Sequence, residues 1–152
     1  MAWIEYDAPL EPLPWGRNVY TILRVDPRLV EAAAAEGTHR VEGRIDDVEV
    51  NLALNRADVV PDHFLYAGKP LQRRLGARPG DVVRCRLRPV DPDLVPLDDD
   101  VREALEDARR LTAFERLRPA QRRQLLVPVD GAATDETRRR RIDALVSDLA
   151  PD

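Results

Sequence analysis

The stretch Val41-Glu42-Gly43-Arg44-Ile45-Asp46-Asp47-Val48-Glu49-Val50-Asn51-Leu52-Ala53-Leu54 decides the fold class. Val41, Gly43 and Ile45 alternate with charged residues, and Val48, Val50, Leu52 and Leu54 resume the alternation after two aspartates. A period of two places one apolar and one solvated face on each strand, so the stretch predicts a β-hairpin with its turn near Asp46-Asp47. That pair is a weaker turn signal than Asn-Gly, which leaves the turn free to slip by about a residue or two.

Working outward, Asn18 to Val25 puts Val19, Thr21, Leu23 and Val25 on one side of a further strand. Asp26 can cap a helix, Pro27 suits its first turn, and Leu29, Val30, Ala33 and Ala34 form an apolar stripe before Gly37. Asn55 to Asp62 is polar and reads as a loop, followed by a short strand at Phe64 to Tyr66. Pro70 to Leu75 reads as a turn or two of helix closed by Gly76. Pro79-Gly80 supplies a tight turn before Val83, Cys85 and Leu87, which alternate with Arg84, Arg86 and Arg88. The segment Ala8 to Trp15 holds Pro9, Pro12 and Pro14, so residues 1–17 are expected as an extended lead-in without a regular element.

Beyond a proline-punctuated linker at 91–97, residues 98–152 read as helices. Asp98, Asp99 and Asp100 favour a helix start, and Val101, Ala104, Leu105, Ala108 and Leu111 recur at helical spacing. A short helix is expected around Phe114 and Leu117. Another runs from Pro119 through Leu126 and is ended by Val127, Pro128 and Gly131. The last starts near Thr134 or Asp135 and buries Ile142, Leu145, Val146 and Leu149. The domain boundaries are therefore 1–17 lead-in, 18–90 barrel, 91–97 linker and 98–152 tail. The fold class is α+β.

The order of residues resembles a bacterial family with an uncharacterised β-barrel domain and a tail of the bacteriocin-protection, YdeI/OmpD-associated type. The resemblance rests on the 41–54 hairpin, on Lys69, Leu71, Arg74, Leu75 and Gly76, and on Gly80, Asp81 and Val83. In the tail it rests on Phe114, Leu117, Arg122, Arg123, Glu136, Thr137, Arg138, Arg141 and Ile142. It implies a small AbrB-like split β-barrel, mainly antiparallel, with a helical tail packed on or near it. An Ala-Lys pair typical of such tails is Ala132-Ala133 here, so no role of that lysine carries over.

The 152 residues are 43% hydrophobic and 34% charged, with a net charge of -4. These values give one compact core with an appendage and no bulk attraction for nucleic acid or membrane. The basic residues include a single lysine, Lys69, which with the abundant alanine reflects codon usage more than phosphate recognition. Cys85 is the lone cysteine, so no intrachain disulfide forms. Met1 to Asp7 lacks a basic, apolar leader, and no run reaches the roughly 20 apolar residues of a membrane span. A cytoplasmic protein without a membrane role is expected.

Candidate chemistry is sparse. Arg84, Arg86 and Arg88 share a strand face and could form a basic stripe, either for a polyanion or for the tail's acids, among them Asp98 to Asp100, Glu103, Glu106 and Asp107. Arg138 to Arg141 lie about 100° apart on a helix, so only Arg138 and Arg141 approach one side. Asp135 and Glu136 can reach Arg139 and Arg140 across one turn. His39, His63 and Cys85 are too few for a zinc site, so no metal is expected. Cys85 reads as a small buried apolar residue. Asp46, Asp47 and Asp58 are turn residues rather than general bases, and Trp3 and Trp15 are expected to lap over the barrel's open end. No nucleophile elbow, phosphate loop or dinucleotide fingerprint occurs, so no catalytic residue and no cofactor are assigned. The expectation is a noncatalytic binding module for an unknown ligand or protein partner, with Arg84, Arg86, Arg88, Arg138 and Arg141 as anion or partner contacts. Alternatives are a DNA-binding regulator on an AbrB-like barrel and an enzyme of unrecognised type; a homodimer is open.

Overall fold

The structure is a computed structural model that describes residues 2–152. The chain forms two units that divide between Pro92 and Asp93. The first holds eight strands, paired antiparallel in two four-stranded sheets, with two helices among them. The second is helical.

Two strands open the first unit: β1 (Ile4–Pro9) and β2 (Glu11–Trp15). They correct the expectation of a lead-in without regular structure, and the reason is their position. β1 is the edge of the first sheet, in the order β1-β8-β4-β5, and β2 is the edge of the second, in the order β2-β3-β7-β6. On an edge strand the outward amide has no ladder partner to lose, so Pro9, opposite Val82, and Pro12 and Pro14, opposite Thr21 and Val19, are tolerated.

β3 (Asn18–Arg24) leads into α1 (Pro27–Glu36). Asp26 caps α1 by accepting from the Arg28 amide at 2.8 Å, and Gly37 ends it at φ 68°. β4 (Arg40–Ile45) and β5 (Val48–Ala53) form the expected hairpin, with Ile45 opposite Val48. The turn stays at Asp46-Asp47 because β8 fixes it: the Asp46 carboxylate accepts from the Arg84 amide at 2.9 Å and the Asp46 amide donates to the Arg84 carbonyl at 2.7 Å. Asp46 adopts φ 49° there.

The polar segment 55–62 is not a loop. It forms β6 (Asn55–Ala57) and the start of β7 (Val60–Tyr66), with an irregular register between Asn55 and Ala57. α2 (Lys69–Leu75) ends at Gly76, and β8 (Val82–Pro89) closes the unit.

The two sheets and α1 share one core, which includes Leu10, Leu23, Leu29, Val41, Ile45, Leu65, Val83, Cys85 and Leu87. Burying such side chains stabilises the fold by roughly 1.5–3 kcal/mol each. Thr38 ties the start of β4 to the end of β8 by donating to the Val90 carbonyl at 2.7 Å. β3 is covered on both faces, since Ile22 joins Leu13, Val60 and Phe64 in a smaller cluster on the other side of the second sheet. The eight strands among the described residues do not close into a single barrel.

The second unit has α3 (Asp99–Asp107), α4 (Leu111–Glu115), α5 (Pro119–Asp130) and α6 (Asp135–Ser147). Val101, Leu105, Phe114, Leu126, Val129, Ile142, Leu145 and Val146 form its own core. α5 runs through Pro128 rather than ending before it. Near its end the Val127 carbonyl accepts from the Gly131 amide at 2.9 Å and the Pro128 carbonyl accepts from Arg141 at 2.8 Å, so the last turn keeps its partners. Thr134 caps α6 by accepting from the Thr137 amide.

Candidate functional site

Alternation along β8 sends Val83, Cys85 and Leu87 inward and Arg84, Arg86 and Arg88 outward, as the sequence implies. The register then decides what those arginines meet. Asp7 stands opposite Arg84, Glu5 opposite Arg86, and Glu42 opposite Arg88. The resulting ion pairs measure 3.3, 3.7 and 3.0 Å. Arg44, opposite Arg86 on β4, reaches Glu49 at 3.3 Å. This face is an array of neighbouring opposite charges, and each exposed pair contributes at most about 1 kcal/mol.

Trp3 lies on the same face instead of over an open end. Its ring centroid is 4.4 Å from the Arg86 guanidinium and 4.2 Å from that of Arg88, in cation–π contact with both. Gly43 makes room for it: a Cβ there would lie 2.9 Å from Trp3 Cζ3 and 2.0 Å from the Arg86 carbonyl oxygen. Trp15 sits at the end of β2, edge-on to Tyr20.

A different basic surface stands beside this sheet face. Lys69, Arg73, Arg74 and Arg78 fall within ten residues of α2 and the turn after it, all exposed, with no acid among them. Two grooves flank them. The larger, of about 760 Å³, is lined by Lys69, Gln72, Arg73, Gly76, Ala77, Arg78 and Asp81. The smaller, of about 560 Å³, is lined by Asp46, Asp47, Val48, Arg74, Leu75 and Arg84. Arg84 thus joins the β8 face to the α2 corner. Arg74 is steadied there by donating to the Glu49 carbonyl at 3.1 Å. The acid-free run in the sequence was the signal for this corner, but the pairing of β8 with β1 and β4 was needed to show that the β8 arginines are countered by acids of neighbouring strands.

The tail arginines hold the helical unit together. Arg138 contacts Asp100 at 2.7 Å and Asp98 at 2.9 Å, with Asp130 at 4.0 Å, and this joins α6 to the start of α3. The hydrogen bond from Arg138 holds the Asp100 carboxyl below the ordinary carboxylate range. Arg141 donates to the Pro128 carbonyl, and Arg140 turns to the Thr137 hydroxyl at 3.3 Å. The acids at Asp98 and Asp100 therefore engage Arg138 within their own unit.

Burial pushes the Cys85 thiol up to about 11 and also raises the pKa of its cross-strand neighbour Tyr6. Both stay protonated at neutral pH, and neither lines either of the two grooves described above. His63 is lowered chiefly by burial, with Arg56 nearby. No group of three His, Cys, Asp or Glu side chains suited to a metal ion occurs among the described residues. No helix among them is long and apolar enough to cross a membrane.

The helical unit has a match among known families. Residues 95–151 match the family described as Bacteriocin-protection, YdeI or OmpD-Associated. That span coincides with the helical unit, including the α3–α6 core and the Arg138 cluster. The family description records an association and names no reaction, so the match makes the tail YdeI/OmpD-like. No curated protein matches the chain.

Proposed function

We propose that this protein is a noncatalytic binding module whose sheet unit takes an acidic segment of a protein partner at the α2 corner. In this reading the two sheets that share one core are the halves of a split barrel of the AbrB-like kind. The observation that carries the proposal is the acid-free set of Lys69, Arg73, Arg74 and Arg78 bordering two open grooves. Arginine forks suit carboxylates, and a compact cluster fits a short acidic stretch. The β8 arginines act in support: Arg84 lines the smaller groove, while Arg86 and Arg88 brace Trp3. Arg138 and Arg141 organise the tail.

The same cations favour a second reading, a DNA-binding regulator. Asp46, Asp47 and Asp81 line the grooves and the net charge is -4, so any polyanion meets some repulsion; a short acidic segment brings far fewer negative charges against them than a duplex does, and it is preferred for that reason. Fluorescence anisotropy with a short glutamate-rich peptide, and in parallel with mixed-sequence duplex DNA, separates the two. Binding of the peptide that weakens with salt and is lost in Arg73→Glu and Arg78→Glu supports the proposal. Tighter binding of the duplex transfers the site to the regulator reading, and no binding of either at low salt ends both.

A further inference from the structure

The face of the second sheet that points away from the main core carries a feature the α2 corner does not explain. By alternation Leu13, Tyr20, Ile22, Phe64 and Tyr66 share that face, with Trp15 at its end. Their rings form a continuous chain: Trp15 to Tyr20 at 6.3 Å, Tyr20 to Tyr66 at 5.6 Å, and Tyr66 to Phe64 at 5.2 Å between centroids. One of the two tryptophans, two of the three tyrosines and one of the two phenylalanines are therefore gathered on one small sheet face.

Capping the cluster of Leu13, Ile22, Val60 and Phe64 accounts for the inner rings. It does not account for the outer ones. Trp15 is 40% exposed and Tyr66 is 37% exposed, although both could bury large apolar area. Aromatic side chains placed this way are enriched where proteins meet proteins.

The charges on this face select the partner. Arg24 pairs with both Glu11 and Asp62, and this trio, toward the β6–β7 turn, leaves one net negative charge on that half of the face. The ends differ. β3 and β7 run antiparallel, with Ile22 opposite Tyr66 and Arg24 opposite Phe64, so the β2–β3 turn and the β6–β7 turn stand at opposite ends of the sheet. The first turn carries Arg17 and the second carries Asp58, both exposed. Arg56 belongs to the other side, beside His63.

A surface with an apolar middle, a cation at one end and an anion at the other is complementary to itself when turned through 180°. We infer that this face pairs with a second copy of this chain about a two-fold axis perpendicular to the strands. The rings of Trp15, Tyr20 and Tyr66 meet those of the partner, and Arg17 of each copy lies over Asp58 of the other. Such isologous contacts are the commonest route to soluble oligomers.

Sedimentation velocity on the full chain over a wide concentration range tests the inference. The expected result is a mass that rises from 17.2 kDa toward twice that value. Trp15→Ser and Tyr66→Ser hold the chain at the lower mass. Arg17→Asp weakens association about tenfold, since it removes two exposed pairs and creates two repulsions. Combining it with Asp58→Arg restores the parent behaviour. These two residues lie in exposed turns, so the charge swap decides the matter even if a ring variant fails to fold. A parent chain at 17.2 kDa throughout, which would leave the face to a different partner, overturns the inference. So does a dimer that neither Trp15→Ser nor Arg17→Asp weakens.

Discussion

Gly43→Ala tests the packing of the first sheet most directly. Gly43 has φ 144°, and for a residue with a side chain such a backbone conformation costs about 1–3 kcal/mol. The added Cβ would lie 2.0 Å from the Arg86 carbonyl oxygen, a backbone atom that no rotamer change can move. Easing it forces β4 away from β8, an overpacking cost of a further 1–3 kcal/mol or so. The expected loss is about 2–6 kcal/mol, a large share of the roughly 5–15 kcal/mol that stabilises a domain. Both tryptophans lie in the first unit, so urea unfolding followed by tryptophan fluorescence reports that unit alone. With a slope of roughly 1–2 kcal/mol per molar urea, a loss of 3 kcal/mol lowers the midpoint by about 2 M. Trp3→Ala relieves the 2.9 Å contact and leaves the carbonyl in place. Gly43→Ala is therefore expected to remain costly in that background, with Trp15 as the reporter. A Gly43→Ala midpoint within about 0.3 M of the parent would refute the argument.

Two further outcomes follow from the ion cluster and the thiol. Asp100 has its folded pKa lowered by Arg138, so its contribution is fully present above the ordinary carboxylate value of 3.8 and is lost as pH falls through the lower folded value. Arg138→Met is accordingly expected to destabilise the helical unit at neutral pH by less than about 1 kcal/mol per exposed pair lost, seen as a lower far-ultraviolet melting temperature, and to converge with the parent in acid. A constant difference at all pH values would contradict this. Cys85, fully buried and with its thiol pushed up to about 11, is expected to react with a disulfide reagent only as fast as the first unit opens. Rapid labelling of the native protein would disprove its place in the core.

Local pattern made much of the fold legible. The alternation at 41–54 and 82–88, the Asp26-Pro27 start and the Gly37 and Gly76 stops each act through the residue's own backbone, so they can be read from neighbours in sequence. The misreadings have a common cause. Pro9, Pro12 and Pro14 break structure only where an amide is needed, and the need vanishes at a sheet edge. Pro128 lies in the last turn of α5, where its missing amide costs the helix a single bond, at the carbonyl of the exposed Gln124. The arginine side of β8 was legible, but its neutralisation was not, because Arg84 meets Asp7 across 77 positions of chain. Pairing at that distance is set by the whole sheet.

The prolines of β1 and β2 have one more consequence. An exposed strand margin is a template onto which other chains can stack into filaments, and a missing amide hydrogen denies the newcomer its bond. Here the opening strands carry that safeguard at Pro9, Pro12 and Pro14. Substituting threonine or valine for Pro12 and Pro14 would leave the native packing nearly untouched while opening a route to insoluble fibres during synthesis.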